Sequence, residues 1–168
     1  MSTFLDTHSL KILMSSYVLS RLDYCNSLLA GLPEASLDKL QRVQNHAARV
    51  VLKRKKRDHV TPMFIELHWL PVRSRISYKI ALLCYKCLNR TAPQYLCDLL
   101  EQYVPTRSLR SSDQNLIRVT NSKTKTWGGR AFSFFAPSVW NSLPQGLRDA
   151  EGEIVFKNML KTHFFATM

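Results

Sequence analysis

At 168 residues the chain is long enough for one domain with a real core and too short for a polymerase with palm, fingers and thumb. Apolar residues make up 45% and include eight Phe, six Tyr and three Trp, which excludes wholesale disorder. The longest apolar run, Ile80 to Tyr85, is far short of the ~20 residues that span a bilayer, so no membrane contact is expected.

Lys and Arg number 24 against 12 Asp and Glu, a net charge of +12. The excess is central: residues 39–130 hold 19 basic and 5 acidic side chains, or +14, and the two ends together hold 5 and 7, or −2. A field concentrated in this way favours a polyanionic partner; the competing reading is a solubilising surface. Asp6 and His8 stand where a secretory signal would be apolar, so no signal peptide is read there. Cys25, Cys84, Cys87 and Cys97 are then expected as reduced thiols, and the location as nucleus, cytoplasm or both.

In chain order, the first predicted element is a helix over 10–29, with Leu10, Met14, Val18 and Leu22 at steps of three and four. Gly31 and Pro33 punctuate it. A second helix spans about 33–53, with Leu37, Leu40, Val43, Ala47, Val50 and Val51 on one face and Lys39, Arg42, Asn45 and Arg49 on the other. The run Lys53-Arg54-Lys55-Lys56-Arg57 follows, five like charges that repel and stay solvated. Thr61-Pro62 reads as an N-cap and first-turn pair for a short helix through His68, broken by Trp69-Leu70-Pro71. The clearest helix is 72–89, with Val72, Ile76, Ile80, Leu83, Cys87 and Leu88 as its stripe and Arg73, Arg75, Lys79 and Lys86 largely outside it. Pro93 opens a short helix carrying Tyr95, Leu96, Leu99 and Leu100.

Composition changes near Pro105. From there to Arg130 the chain is rich in Ser and Thr, with six basic residues and one acid. Leu116 to Thr120 and Arg130 to Phe135 read as strands, with Gly128-Gly129 as a turn signal before the second, so a β-hairpin is expected here. Pro137 to Leu143 reads as a helical turn or two, and a last helix covers about 155–165 through Phe156, Met159, Leu160 and Phe164. The expected fold is mainly α, a helical domain with a small β-hairpin element in the C-terminal third.

Several side chains can carry chemistry. Lys53, Arg54, Lys55, Lys56 and Arg57 can neutralise phosphates without reading sequence, and also resemble a nuclear localisation string; a solvated helix end is the plain alternative. Arg73 and Arg75 add to this centre. Arg107, Arg110, Arg118, Lys123, Lys125 and Arg130 form a second cluster near Tyr103, Trp127 and Phe132, a mixture that suits single-stranded nucleic acid through stacking and charge. Cys84-x-x-Cys87 lies within an apolar helix and lacks two further ligands at suitable spacing, so buried thiols rather than a metal site are expected, and no cofactor. Trp69 and Trp140 are expected as core anchors, and Asp23 as a partner in an ion pair or tertiary hydrogen bond.

Specific strings then carry a resemblance. They include Ser20-Arg21-Leu22-Asp23-Tyr24-Cys25-Asn26, Leu40-Gln41-Arg42-Val43-Gln44-Asn45, Leu67-His68-Trp69-Leu70-Pro71-Val72, Arg130-Ala131-Phe132-Ser133 and Trp140-Asn141-Ser142-Leu143-Pro144. In this order and spacing the chain, from about 15 to 165, resembles the region after the palm in non-LTR, LINE-type retrotransposon reverse transcriptases of the jockey-like and chicken-repeat-like branches. It departs from their usual pattern at Thr120-Asn121 and at Trp127. The resemblance implies thumb-like helices over 1–53, following a palm that this sequence lacks, and a basic tail domain over 54–168. It implies binding of RNA or DNA, as element transcript or target site, and contact with the upstream reverse transcriptase domain. Leu10, Met14 and Val18 would then form an apolar patch meant for that domain. The family's polymerase chemistry rests on paired carboxylates that hold metal ions, and no Asp-Asp pair exists here, so no catalytic residue carries over and no enzyme activity is expected. The other functional expectation is a decayed or domesticated fragment acting as a protein-interaction module.

Overall fold

The computed structural model describes residues 5–105, 115–120, 124 and 128–168. It divides into two compact units, Met1–Ile76 with Phe164–Met168, and Ser77–His163.

The first unit opens with α1 (Thr7–Met14), whose N-cap Asp6 accepts a hydrogen bond from the Ser9 N–H at 3.1 Å. One wide π turn (Ser15–Leu19) joins α1 to α2 (Ser20–Asp23). The Ser16 hydroxyl donates to the carbonyls of Ile12 (2.9 Å) and Leu13 (3.1 Å), and that of Ser20 to Ser16, so side chains compete with the helical ladder where it widens. Cys25 ends the helix in the left-handed region at φ 50°, and a 3₁₀ turn covers Asn26–Leu29. The predicted helix over 10–29 therefore stops six residues early.

The long α3 (Glu34–Val51) and short α4 (Thr61–Leu67) complete the unit's core. Val60, rather than the expected Thr61, holds the N-cap position of α4, which places Thr61-Pro62 in the first turn. Leu10, Leu19, Ala47, Ala48, Val51, Met63, Phe64, Leu67 and Trp69 form one buried cluster, with Met14, Val18 and Leu22 packed against it. This overturns the expected patch: Leu10, Met14 and Val18 belong to the core cluster within the chain, where α1 and the π turn pack on α3. Trp69 is the core anchor the sequence suggested.

Two amides fix the Leu70-Pro71-Val72 segment. The buried Gln44 donates from Nε2 to the Leu70 carbonyl at 2.8 Å, and Gln41 Oε1 accepts the Val72 N–H at 2.9 Å. The second bond satisfies an N–H at the start of α5 (Val72–Leu88) that has no partner within the helix.

In the second unit α5 continues and is followed by α6 (Gln94–Cys97), a 3₁₀ turn (Gly128–Arg130), α7 (Phe132–Asn141), α8 (Gln145–Arg148) and α9 (Glu153–Ala166), whose last residues return to the first unit. Tyr85 stacks on Phe156 with ring centroids 4.4 Å apart, and Trp140 lies at 5.8 Å from the same ring. Cys84 and Cys87 are both buried, as expected.

The expected hairpin is not formed: among the described residues there is no strand, and Arg130 to Phe135 covers the end of the 3₁₀ turn, the N-cap Ala131 and the first residues of α7 instead. Phe132, Phe135, Ala136 and Trp140 recur at helical spacing once the window runs past Pro137, whereas a six-residue apolar run shows no decisive period. Pro137 has no N–H for the Ser133 carbonyl; the Thr120 hydroxyl supplies that bond at 3.2 Å. The other candidate, Leu116 to Thr120, makes one antiparallel bridge among the described residues, Gln102 with Ile117. In place of a second strand, the Asn141 amide pairs with both backbone groups of Ile117, accepting its N–H at 3.0 Å and donating to its carbonyl at 2.8 Å. Trp140 Nε1 adds a bond to the Asn115 carbonyl at 2.7 Å.

Candidate nucleic-acid interface

The five-residue basic run is an ordered loop. Lys53 takes the left-handed region at φ 52° just past α3. The Arg54 N–H reaches back to the Arg49 carbonyl at 2.9 Å and the Lys53 N–H to Val50 at 3.4 Å, the paired bonds of a Schellman cap. A turn follows in which Asp58 Oδ2 accepts the Lys55 N–H at 2.9 Å and the Asp58 N–H donates to the Lys55 carbonyl at 3.1 Å. Arg49 Nη2 ties the turn to α3 through the Asp58 carbonyl at 3.2 Å. The backbone needs are met locally, so Lys53, Arg54, Lys55, Lys56 and Arg57 all point their side chains outward and are exposed.

The loop continues a stripe on α3. Lys39, Arg42, His46, Arg49 and Lys53 recur at steps of three, four, three and four, nearly opposite the buried Leu37, Gln44, Ala47, Ala48 and Val51. At 1.5 Å per residue the stripe runs about 21 Å, roughly six base-pair steps of a duplex. Lys39, Arg42 and His46 are exposed and Arg49 is half-buried. The 3.6-residue period carried this signal in the sequence; the charge run beside it is more conspicuous and concentrates attention there.

The remaining predicted residues have other surroundings. Arg73 pairs with Asp38 at 2.8 Å and with Glu34. Arg75 Nη1 meets Asp23 Oδ2 at 2.6 Å while its Nε donates to the Leu70 carbonyl at 2.8 Å, which is the tertiary role expected for Asp23. Arg118 pairs with Glu101 at 3.1 Å. Arg130 ends a 3₁₀ turn, half-buried, with its Nε enclosed and without a partner. Arg107, Arg110, Lys123 and Lys125, with Trp127, lie outside the described residues. The structure thus brings Lys53–Arg57 together with the α3 stripe, and binds Arg73 and Arg75 into the fold.

Among the described residues no group of three His, Cys, Asp or Glu side chains is placed to hold a metal ion, and no helix is long and apolar enough to cross a membrane. No protein-family model, curated protein or solved structure matches the chain.

Proposed function

We propose that this chain is a non-catalytic nucleic-acid-binding segment that holds RNA or DNA through phosphate contacts, from the region after the palm of a LINE-type reverse transcriptase. The observation that carries the reading is the α3 stripe with its Schellman-capped loop: a row of Lys and Arg side chains on one ordered surface, facing away from the core. Cations three or four residues apart on a helix can follow one strand of a backbone, and each neutralised phosphate releases counterions. Such contacts position a nucleic acid without selecting its sequence.

The test is a salt-resolved titration of the purified chain against single-stranded RNA, duplex DNA and an RNA–DNA hybrid. Replacing Lys39 and Arg42 with Ala, or Lys55 and Lys56 with Ala, should weaken binding alike across sequences. Each lost contact should reduce the slope of log K against log salt by about 0.9 on a duplex or about 0.7 on a single strand. Wild-type protein without salt-dependent binding at ordinary ionic strength overturns the proposal.

A second reading, a protein-interaction module, is favoured by one observation in the first unit. Ile12 and Tyr17 are 57% and 66% exposed on α1 and the turn after it, and Leu28 is 74% exposed. Association that Ile12→Asp abolishes, in a chain that ignores nucleic acid, would support it.

A further inference from the structure

The second unit contains a cavity of about 230 Å³ lined by Tyr85, Asn89, Gln102, Trp140, Arg148 and Asp149 among others. Its chemistry centres on Arg148, which is only 8% exposed. Nη1 donates to the Asn141 carbonyl at 3.1 Å and to the Leu143 carbonyl at 2.9 Å, so one nitrogen serves the carbonyls at the end of α7. Nε is enclosed without a partner, and neither it nor Nη2 makes a hydrogen bond. Among the described residues no carboxylate forms an ion pair with this guanidinium. A buried cation without a paired carboxylate is unfavourable, and Nη2 is left as the charged donor that an oxyanion can meet.

Around that guanidinium the neighbours are already committed, and one of them, Asp149, brings a carboxylate to the cavity wall. The Tyr85 hydroxyl donates to the Ala150 carbonyl at 3.2 Å, Asn89 Nδ2 to the Tyr85 carbonyl at 2.9 Å, and Asn115 Nδ2 to Asp149 Oδ1 at 2.7 Å. The Gln102 amide is exposed and makes no hydrogen bond among the described residues, which leaves it as a second donor at the cavity.

We infer that this cavity is a binding site for a small oxyanion, a carboxylate or phosphate group held by Nη2 of Arg148 and by Gln102. Its size suits one such group on a short stem, below the range of sites for drug-sized ligands. The site is separate from the α3 stripe, so its test does not depend on nucleic-acid binding.

The Trp140 indole N–H, bonded to the Asn115 carbonyl at the cavity, is a built-in reporter, and the Trp69 indole, in the first unit, is the control. Titrate ¹⁵N-labelled full chain with sodium phosphate and, separately, sodium acetate, holding ionic strength constant with chloride. The Trp140 resonance should shift and saturate while Trp69 stays still. Saturation with one anion only identifies the preferred source. Arg148→Lys keeps the charge and loses the planar donor set, and should weaken binding at least tenfold; Gln102→Glu replaces a donor with a second carboxylate beside Asp149 and should abolish the shift. If Arg148→Lys fails to fold, Gln102→Glu decides, because that side chain supports nothing else. No saturable shift, an equal response to chloride, or a response that Gln102→Glu leaves intact overturns the assignment.

Discussion

Lys53 occupies a position where the demands of the fold and of the proposed interface conflict, and Lys53→Gly separates them. At φ 52° in a Schellman cap this residue sits where glycine is preferred. The left-handed conformation costs a residue with a Cβ roughly 1–2 kcal/mol, and the extra freedom of glycine in the unfolded chain takes back about 0.4–1 kcal/mol. The variant should therefore be more stable by about 0.5–1 kcal/mol, or about 1–4 °C in a melt of a chain this size. Its binding should move the other way. Loss of one phosphate contact reduces the salt slope by about 0.9 on a duplex, about an eightfold loss of affinity at 0.1 M salt relative to a 1 M reference. Lys53→Ala is the control, since it removes the charge and keeps the unfavourable backbone: affinity should fall with no gain in stability. Thermal melts and salt titrations of the three proteins make the comparison. A destabilised Lys53→Gly refutes the account of the cap, and an unchanged slope refutes Lys53 as a contact.

Asn141→Ala strands the N–H and the carbonyl of Ile117, a residue almost without exposure, and should cost about 2–4 kcal/mol in chemical denaturation; a cost well below ~1 kcal/mol would contradict the amide's role as a substitute strand. Thiol labelling of the native protein at pH 8 should modify exposed Cys25 first and half-buried Cys97 more slowly. Burial drives the Cys84 thiol far above the usual range and Cys87 up to about 11, so both should react only on unfolding, and prompt labelling of all four would refute this. Hydrogen bonds from Lys157 and then Lys86 hold the Glu153 carboxyl below its ordinary value. That contribution is present above the unfolded carboxylate pKa and disappears as pH falls through the lowered folded value, so Glu153→Gln should flatten the acid limb of the stability profile; identical limbs would contradict the pairing.

The helices could be read from the sequence where apolar spacing ran for several turns, as in α3, α5 and α9. Their ends were legible to within two residues, the start of α5 at Val72 included, although the Gln41 amide that caps it comes from α3; the first helix is the exception, ending at Asp23 where Cys25 soon turns left-handed although the apolar spacing runs on. The expected hairpin came from reading Arg130 to Phe135 alone, where period two and period 3.6 fit equally well. The outcome depended on the Thr120 hydroxyl reaching the carbonyl that Pro137 leaves open and on Asn141 taking both backbone groups of Ile117. Composition signals neither contact. The same holds for the candidate interface: the five-charge run could be read directly, whereas the commitment of Arg73 to Glu34 and Asp38, and of Arg75 to Asp23, is a property of the folded chain.

That division sets a limit on the electrostatics. The +14 of residues 39–130 suggests many phosphate contacts, but Arg73, Arg75, Lys86 and Arg118 are spent on acids within the fold. On the α3 surface the exposed cations with no ion pair among the described residues are Lys39, Arg42, Lys53, Arg54, Lys55, Lys56 and Arg57. If all seven met phosphates at once, the duplex slope would reach roughly −6, and a helix with a turn at its end contacts one strand over only part of that length. A measured slope between about −3 and −6 therefore fits this surface working alone. A steeper one requires cations elsewhere in the chain, and should then survive the removal of Lys39, Arg42, Lys55 and Lys56 with more than about a third of its value intact.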